Sequence, residues 1–166
     1  MSMRTLVVGI DGSPASRSAL RLALDEAALH GGGVHAVTCW SESTTSRTGT
    51  DLPPADSYDH ASRIQHKIIF EVTATAQEIH LVVGQIDEGD PGPLLVAAAR
   101  KADGLLVGAS NKGTLARLSG HEVVDYCVRH ATVPVVVVPW KPTELGSLDL
   151  EAELSHDDDR SAPSFG

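Results

Sequence analysis

Aromatic and basic residues are scarce in this chain, and both shortages argue against nucleic acid as a partner. Phe, Trp and Tyr make up 4% of the 166 residues, whereas proteins that bind single strands stack the bases on aromatic side chains. Only 13 Lys and Arg accompany 22 Asp and Glu, so the formal net charge is −9. Because a duplex-binding surface needs basic groups to neutralise phosphates, we expect no direct contact with nucleic acid.

Cysteine and long apolar runs are equally limited. Cys39 and Cys127 are the two cysteines, and both lie in apolar segments, which favours buried thiols over a disulfide. No apolar run reaches the roughly 18 residues of a membrane-spanning helix, and no early segment joins basic residues to a long apolar stretch. The histidines lack the spacing of metal ligands. We therefore predict a soluble, cytoplasmic protein without a membrane contact or a metal site.

Aliphatic residues dominate the hydrophobic composition, and they occur in short runs that alternate with helical patterns. Strands are predicted at residues 5–10, 34–40, 79–83, 105–107 and 133–138. Apolar residues at helical spacing predict helices at residues 14–29, 61–76, 94–99 and 123–128. This alternation predicts a doubly wound α/β fold, with an open five-stranded parallel sheet sandwiched by helices.

Two polar segments interrupt or follow this pattern. Residues 41–58 contain Pro53 and Pro54 with many Ser and Thr, and they predict a long surface loop that is either disordered or a lid. Residues 142–166 are acidic and Ser-rich, and we expect disorder there because they bury too little apolar surface. The chain is thus divided into one domain, residues 1–141, and an acidic tail.

A glycine-bearing segment between the fourth strand and the fourth helix is the best candidate for binding an anion. Its backbone N–H groups and the following helix dipole both favour negative charge. Gly9, Ile10 and Asp11 end the first strand, and ligands of doubly wound sheets bind where the strand order reverses. If the first and fourth strands flank that point, both loops face one crevice. The candidate residues of the second loop are Gly108, Ser110, Asn111, Lys112, Gly113, Gly120, His121 and Glu122.

Four segments of the chain resemble universal stress proteins. The first runs from Val7 to Ser13 (VVGIDGS), and the second is Gly89-Asp90-Pro91. The others are residues 102–108 (ADGLLVG) and 133–139 (VPVVVVP). Their order and spacing agree over roughly residues 4–140, and four segments in register are far more specific than any one of them.

The resemblance implies a fold like that of adenine nucleotide alpha hydrolases, bound ATP or another adenine nucleotide such as AMP or cyclic AMP, and a homodimer formed through the edge strand from Val133 to Val138. It leaves the presence of Mg²⁺ open. The family signature is Gly, two residues, Gly, nine residues, then Gly with Ser or Thr. Gly108 matches its first position, but Asn111 replaces the second glycine, and His121-Glu122 stand where Gly-Ser is expected, with Gly120 one position early.

Several of these residues have two interpretations. By resemblance Asp11 contacts the nucleoside, but a carboxylate after a strand also binds the N–H groups of its own turn. Cys39 is expected either beside adenine or in the core. Lys112 is either a phosphate ligand or a solvated lysine. His121 donates to a phosphate, is a pH-sensitive group, or has neither role. Glu122 would repel a polyphosphate.

The leading hypothesis is a stress-response regulator that binds an adenine nucleotide without robust catalysis. The segment around Ser110 lacks the second glycine of a nucleophile elbow, which argues against a serine hydrolase. The sequence shows neither a full P-loop nor a defined metal clamp, which argues against efficient phosphoryl transfer. One alternative is a dimeric interaction module of the same fold that binds no nucleotide. The other is a weak nucleotide hydrolase.

Overall fold

Five parallel strands and four helices alternate along the chain. The computed structural model describes residues 4–41, 57–76, 81–110 and 120–140. The elements are β1 (Thr5–Gly9), α1 (Pro14–His30), β2 (Gly33–Trp40), α2 (Tyr58–Thr73), β3 (Leu81–Glu88), α3 (Pro91–Ala99), β4 (Gly104–Ser110), α4 (Gly120–His130) and β5 (Val135–Trp140). The sheet order is β3-β2-β1-β4-β5, with every pair parallel. The predicted α/β fold is confirmed, and the strand order reverses between β1 and β4.

Helices cover both faces of the sheet and form two apolar clusters. α1 and α2 pack on one face, where Val8 is completely buried, and α3 and α4 pack on the other, where Val7 is completely buried. Adjacent residues of β1 therefore contribute to opposite cores, as expected for a central strand whose side chains alternate. No helix among the described residues is long and apolar enough to cross a membrane.

Local signals explain the bounds of α1. The side chain of Ser13 caps the helix by accepting from the backbone N–H of Ser16, and Pro14 occupies the first helical position, where its missing N–H costs no hydrogen bond. Gly31 ends the helix in the left-handed conformation, and its N–H donates to the carbonyl of Ala27. The sequence therefore predicts this helix to within one residue at its end.

Several predicted boundaries are wrong by a few residues. β3 continues through Glu88 instead of stopping at 83, because it pairs with β2 along its full length. β4 continues to Ser110 by pairing with β5, which itself begins at Val135 instead of 133. α2 begins at Tyr58, inside the predicted 41–58 loop, and ends before 76. Residues 42–56, and the tail from 141 onward, lie outside the described residues.

One buried polar side chain joins α2 to the sheet. Gln65 is 4% exposed, although it stands within the apolar stripe of the helix. Its amide nitrogen lies 3.1 Å from the carbonyl oxygen of Ala36, 3.1 Å from the hydroxyl of Thr38 and 2.8 Å from the carbonyl oxygen of Gln85. These hydrogen bonds satisfy a group that would be costly to bury alone, and they fix α2 over β2 and β3.

Candidate functional site

The turn after β1 forms the first half of the candidate site. The N–H of Ile10 donates to the carbonyl of Val37 at 2.8 Å, so pairing with β2 continues one residue beyond Gly9. The chain then turns at Gly12, whose φ of +87° suits glycine better than any other residue. This turn directs Asp11 outward at the carboxyl edge of the sheet, where it is exposed.

Asp11 organises the start of α1. Its Oδ1 accepts from the backbone N–H of Ser13 at 2.9 Å and from the Ser13 hydroxyl at 2.6 Å. The same hydroxyl accepts from the N–H of Ser16 at 3.1 Å. The carboxylate of Asp11 thus binds the N–H of its own turn, which was one of its two interpretations from the sequence. Its position at a helix N-terminus is also electrostatically favourable. Its contact with a nucleoside stays a prediction.

Gly108 connects the end of β4 to this turn. A Cβ built on Gly108 would lie 2.5 Å from the carbonyl carbon of Ala15 and 2.6 Å from the nitrogen of Ser16. Both atoms belong to the backbone of the first turn of α1, which cannot rotate away as a side chain does. Glycine therefore allows β4 to approach α1 closely. As a result, the carboxyl end of β4 lies beside the turn that carries Asp11.

This geometry corrects the interpretation of the glycine segment as a loop. Gly108, Ala109 and Ser110 belong to β4, and their backbone pairs with β5. Gly120 and His121 are the first two residues of α4. Asn111, Lys112 and Gly113 lie outside the described residues, so their predicted contacts with a phosphate stay predictions.

Glu122 lies in the first turn of α4 and is exposed. A carboxylate there interacts favourably with the positive end of the helix dipole, which gives Glu122 a structural role independent of any ligand. Asp90 caps α3 by accepting from the N–H of Gly92 at 3.4 Å. Together with Asp125, both carboxylates line a groove of about 420 Å³ between the two helices. Arg129 and His130 line the same groove, so it holds basic as well as acidic side chains.

Cys39 lies near the carboxyl end of β2 and packs against the apolar cluster beneath α3 and α4. Burial, followed by the nearby carboxylates of Asp87 and Asp90, raises the pKa of its thiol to about 12. Burial also raises the pKa of Cys127 to about 11. Both cysteines are free thiols, as predicted, and their packing favours the core interpretation of Cys39.

The two cysteines are expected to resist alkylation. A raised pKa keeps a thiol protonated, and the thiolate is the reactive form, so iodoacetamide at about pH 8 should modify the native thiols at least about a hundredfold more slowly than the unfolded chain. The raised pKa values also make stability depend on pH. The folded chain holds these thiol protons more tightly than the unfolded chain, so their contribution to the free energy of unfolding is complete below pH 9 and is lost as the pH rises toward 11 and 12. Cys39→Ala and Cys127→Ala variants show which alkylation rate belongs to which thiol. Alkylation of Cys39 in the native chain as fast as in the unfolded chain would contradict the prediction.

One group of side chains near this site was not predicted from the sequence. His60, Arg63 and Lys67 lie on one face of α2, and the intervening Ile64 approaches the turn at Gly12. Their spacing of three and four residues is the signal that reveals a common helical face. Among the described residues, no cluster of three or more His, Cys, Asp or Glu side chains is arranged to hold a metal ion.

Comparison with known proteins identifies the family. A family model described as the universal stress protein family matches residues 3–139. The chain belongs to this family. The family resemblance derived from the four sequence segments is thereby confirmed, and the match includes every described helix and strand except the last residue of β5.

Curated universal stress proteins from mycobacteria match this chain at 23–28% identity. One from Mycolicibacterium smegmatis is 28% identical over 137 residues, which is 80% of this chain and 45% of that protein. The chain therefore spans about half the length of the curated relatives it matches.

Solved structures of this family support the fold at still lower identity. A universal stress protein in complex with cAMP has a TM-score of 0.61 at 23% identity, covering 84% of this chain and 98% of that one. The universal stress protein of Archaeoglobus fulgidus in complex with dAMP has a TM-score of 0.58 at 17% identity, covering 82% and 98%. These likenesses confirm the architecture.

Proposed function

We propose that this universal stress protein is a cytoplasmic regulator that binds an adenine nucleotide between the ends of β1 and β4, without robust catalysis. The observation that carries the proposal is the close approach at Gly108, which brings the end of β4 against the first turn of α1 beside Asp11. This is the position where doubly wound sheets hold their ligands. The cAMP and dAMP bound by two relatives support adenine nucleotides as the ligand class.

Isothermal titration calorimetry with ATP, ADP, AMP and cyclic AMP tests this proposal. We expect at least one nucleotide to bind saturably with a Kd below about 1 mM, and we expect Asp11→Ala to raise that Kd at least about tenfold. Asp25→Ala is the matched control, because it removes the same charge from an exposed position on α1 and should leave the affinity within about twofold. Phosphate release from ATP should equal the rate in buffer.

The alternative is an interaction module that binds no nucleotide. Glu122 favours it, because an exposed carboxylate at the start of α4 opposes a polyphosphate placed there. Absence of binding for all four nucleotides at millimolar concentration would overturn the proposed function in favour of this alternative. Rapid phosphate release by the native chain would instead indicate a hydrolase.

We further propose that the chain forms a homodimer through β5. β5 ends the sheet, and it exposes Val136 and Val137 on opposite faces, with 43% and 38% of their surfaces accessible. An edge strand with exposed apolar side chains is normally paired or covered, because its free backbone groups can pair with another chain. The strand runs from Val135 to Trp140, so the proposed interface is shifted by two residues from the predicted 133–138 run.

A charge on β5 is expected to separate the dimer. Val136→Lys would bury an unpaired ammonium group in the interface, so sedimentation at micromolar concentration should show a monomer. Val83→Lys is the matched control, since it places the same charge on the opposite edge strand at a side chain that is 50% exposed. A native chain that sediments as a monomer, or a Val136→Lys variant that remains a dimer, would contradict the proposed interface.

A further inference from the structure

The solvent-facing side of α2 combines positive charge with an exposed aromatic ring. Four exposed side chains make up this surface: Arg63, His66, Lys67 and Phe70. Residues three and four positions apart are neighbours on a helix, so these side chains form one continuous surface. Gln65 and Ile68 are buried on the other side of the helix, against the sheet. We call the four exposed residues the outer face of α2.

Phe70 gives this surface an apolar anchor. It is one of the two phenylalanines of the chain, and 73% of its surface is accessible, compared with 55% for Tyr58. Scattered apolar residues on a protein surface are ordinary. An aromatic ring on the same face as an arginine is different, because aromatic and Arg side chains supply much of the binding energy at protein interfaces. The outer face therefore has the composition of a docking surface.

The positive charge of the outer face is only partly neutralised by the neighbours that the structure describes. The Nε of Arg63 donates to an uncharged acceptor, the carbonyl of Asp59, at 3.3 Å. The Nζ of Lys67 lies 4.0 Å from Glu71, and its side chain is 68% exposed. Glu71 has a closer partner, since its carboxylate lies 2.9 Å from the Nε of Arg17. Arg63 and Lys67 thus present positive charge to solvent.

The acidic tail contains a segment of complementary composition. Residues 148–154 (LDLEAEL) alternate apolar and acidic side chains, and three aspartates follow at 157–159. Residues 142–166 hold seven Asp and Glu but a single Arg. Strict alternation gives an extended chain one apolar side and one acidic side. Such a segment has too little apolar surface to fold by itself, but it can place leucines against Phe70 and carboxylates beside the cations of the outer face.

The tail begins close enough to reach this surface. Trp140 ends β5 at the carboxyl edge of the sheet, and the first half of α2 lies at the same edge, because Ile64 packs against the turn at Gly12. Four strand spacings separate β5 from β3, which is about 19 Å. Residues 141–150 span about 33 Å when extended, so the leucines of the tail can reach α2.

We propose that residues 148–159 of the acidic tail bind the outer face of α2 in the same chain, with leucines on Phe70 and carboxylates on Arg63 and Lys67. Charge complementarity selects the segment, and the apolar contact at Phe70 positions it. Each exposed ion pair is weak. The tether compensates, because a segment attached near its own binding surface has an effective concentration there in the millimolar range. No nucleotide takes part in this contact, so it is independent of the proposed function.

A nitroxide label in the tail tests this contact. Ser155→Cys places the label between the leucines and the aspartates, and the buried native thiols should stay unlabelled in a short reaction, which mass spectrometry checks. In the ¹⁵N-labelled full chain at low salt, the backbone amide signals of residues 62–72 should lose at least about half of their intensity, because the tether keeps most tails docked. Raising the ionic strength from about 0.02 M to about 0.5 M should reduce this loss, since salt screens exposed charges.

An outer-face variant, Arg63→Gln/Lys67→Gln/Phe70→Ser, removes the proposed binding partners of the tail. Since all three side chains are exposed, the variant should keep the fold, which its amide spectrum reports. The signals of α2 should return to at least about 80% of their intensity without the nitroxide, because the tether alone does not hold the tail at this surface. A loss of signal that persists in the variant would overturn the inference.

Arg100→Gln/Lys101→Gln/Val128→Ser is the matched control. It removes two cations and one apolar side chain from exposed positions outside α2. The labelled control should lose the same α2 signals as the labelled native sequence. Full α2 signals in the labelled native sequence, or their recovery in this control, would contradict a contact specific to the outer face.

A mixture of two chains identifies the occupant. One chain carries the nitroxide without ¹⁵N, and the other carries ¹⁵N without the nitroxide, so only contacts between copies reduce the signal. We expect the α2 signals of this mixture to keep their intensity. A loss equal to that within one chain would assign the outer face to the tail of a second copy and overturn the intramolecular contact. Binding of the native chain to phosphatidylserine vesicles, without signal loss in the labelled chain, would overturn it in favour of a membrane surface.

Discussion

A Leu20→Ala variant is expected to lose about 3 kcal/mol of the free energy of unfolding. Leu20 has no accessible surface and is one of the largest side chains in the cluster beneath α1 and α2. Removing three carbons from it leaves a cavity that the neighbouring strands cannot fill, because they are fixed by pairing on both sides. Since typical domains have 5–15 kcal/mol in total, the loss is a large share.

Leu29→Ala is the matched control for that measurement. It makes the same substitution in the same helix, but Leu29 is 76% exposed and fills no cavity. Urea denaturation should therefore give a midpoint close to that of the native chain for Leu29→Ala and a much lower one for Leu20→Ala, with similar slopes. Equal losses in the two variants would show that helix propensity, and not core packing, determines the effect.

The contrast between these leucines also shows what the sequence predicts well. The three- and four-residue spacing of Ala19, Leu20, Ala23 and Leu24 predicts the buried face of α1, and the structure buries all four. Ser13 and Pro14 predict where the helix begins. These signals are local, because they depend on hydrogen bonds and side-chain directions within one segment. The alternation of strands and helices predicts a parallel, doubly wound sheet, but it leaves the adjacency of β1 and β4 as a condition, which the structure fulfils.

Strand ends were predicted less well because pairing partners determine them. Gly84 and Gln85 interrupt an apolar run, which suggests that the strand stops, yet both pair with residues of β2. Gly108 was assigned to a loop because glycine is typical of loops. Its actual role is to allow a helix backbone to approach a strand, and that approach joins segments about ninety residues apart in the chain.

The candidate site was only partly predicted, because it too depends on contacts between segments that are distant in the chain. Asp11 and Gly108 were found because they follow buried strands where the strand order was expected to reverse, and the family resemblance marks the same positions. The structure brings their segments together. The basic side chains along one face of α2, His60, Arg63 and Lys67, were missed although their spacing is visible in the sequence. Their position near the site depends on the packing of Ile64 beside Gly12, which is a tertiary contact that no local pattern encodes.

Gly108→Ala is the substitution that most directly tests how the site is built. The added methyl group would overlap the backbone of Ala15 and Ser16, so β4 and α1 must separate, and we expect a loss of about 3 kcal/mol in the free energy of unfolding. Gly104→Ala is the matched control within β4, because its new Cβ would meet the movable Cδ2 of Leu6 at 3.2 Å. That variant should lose less than about 1 kcal/mol.

The two glycine variants also separate stability from ligand binding. If the close approach of β4 to α1 forms the nucleotide site, Gly108→Ala should bind at least about tenfold more weakly even at a temperature where it remains folded. Gly104→Ala lies at the opposite end of the same strand and should bind like the native chain. Native affinity in folded Gly108→Ala would show that the ligand does not depend on this junction. The comparison therefore tests whether Gly108 serves the ligand through the backbone geometry it permits.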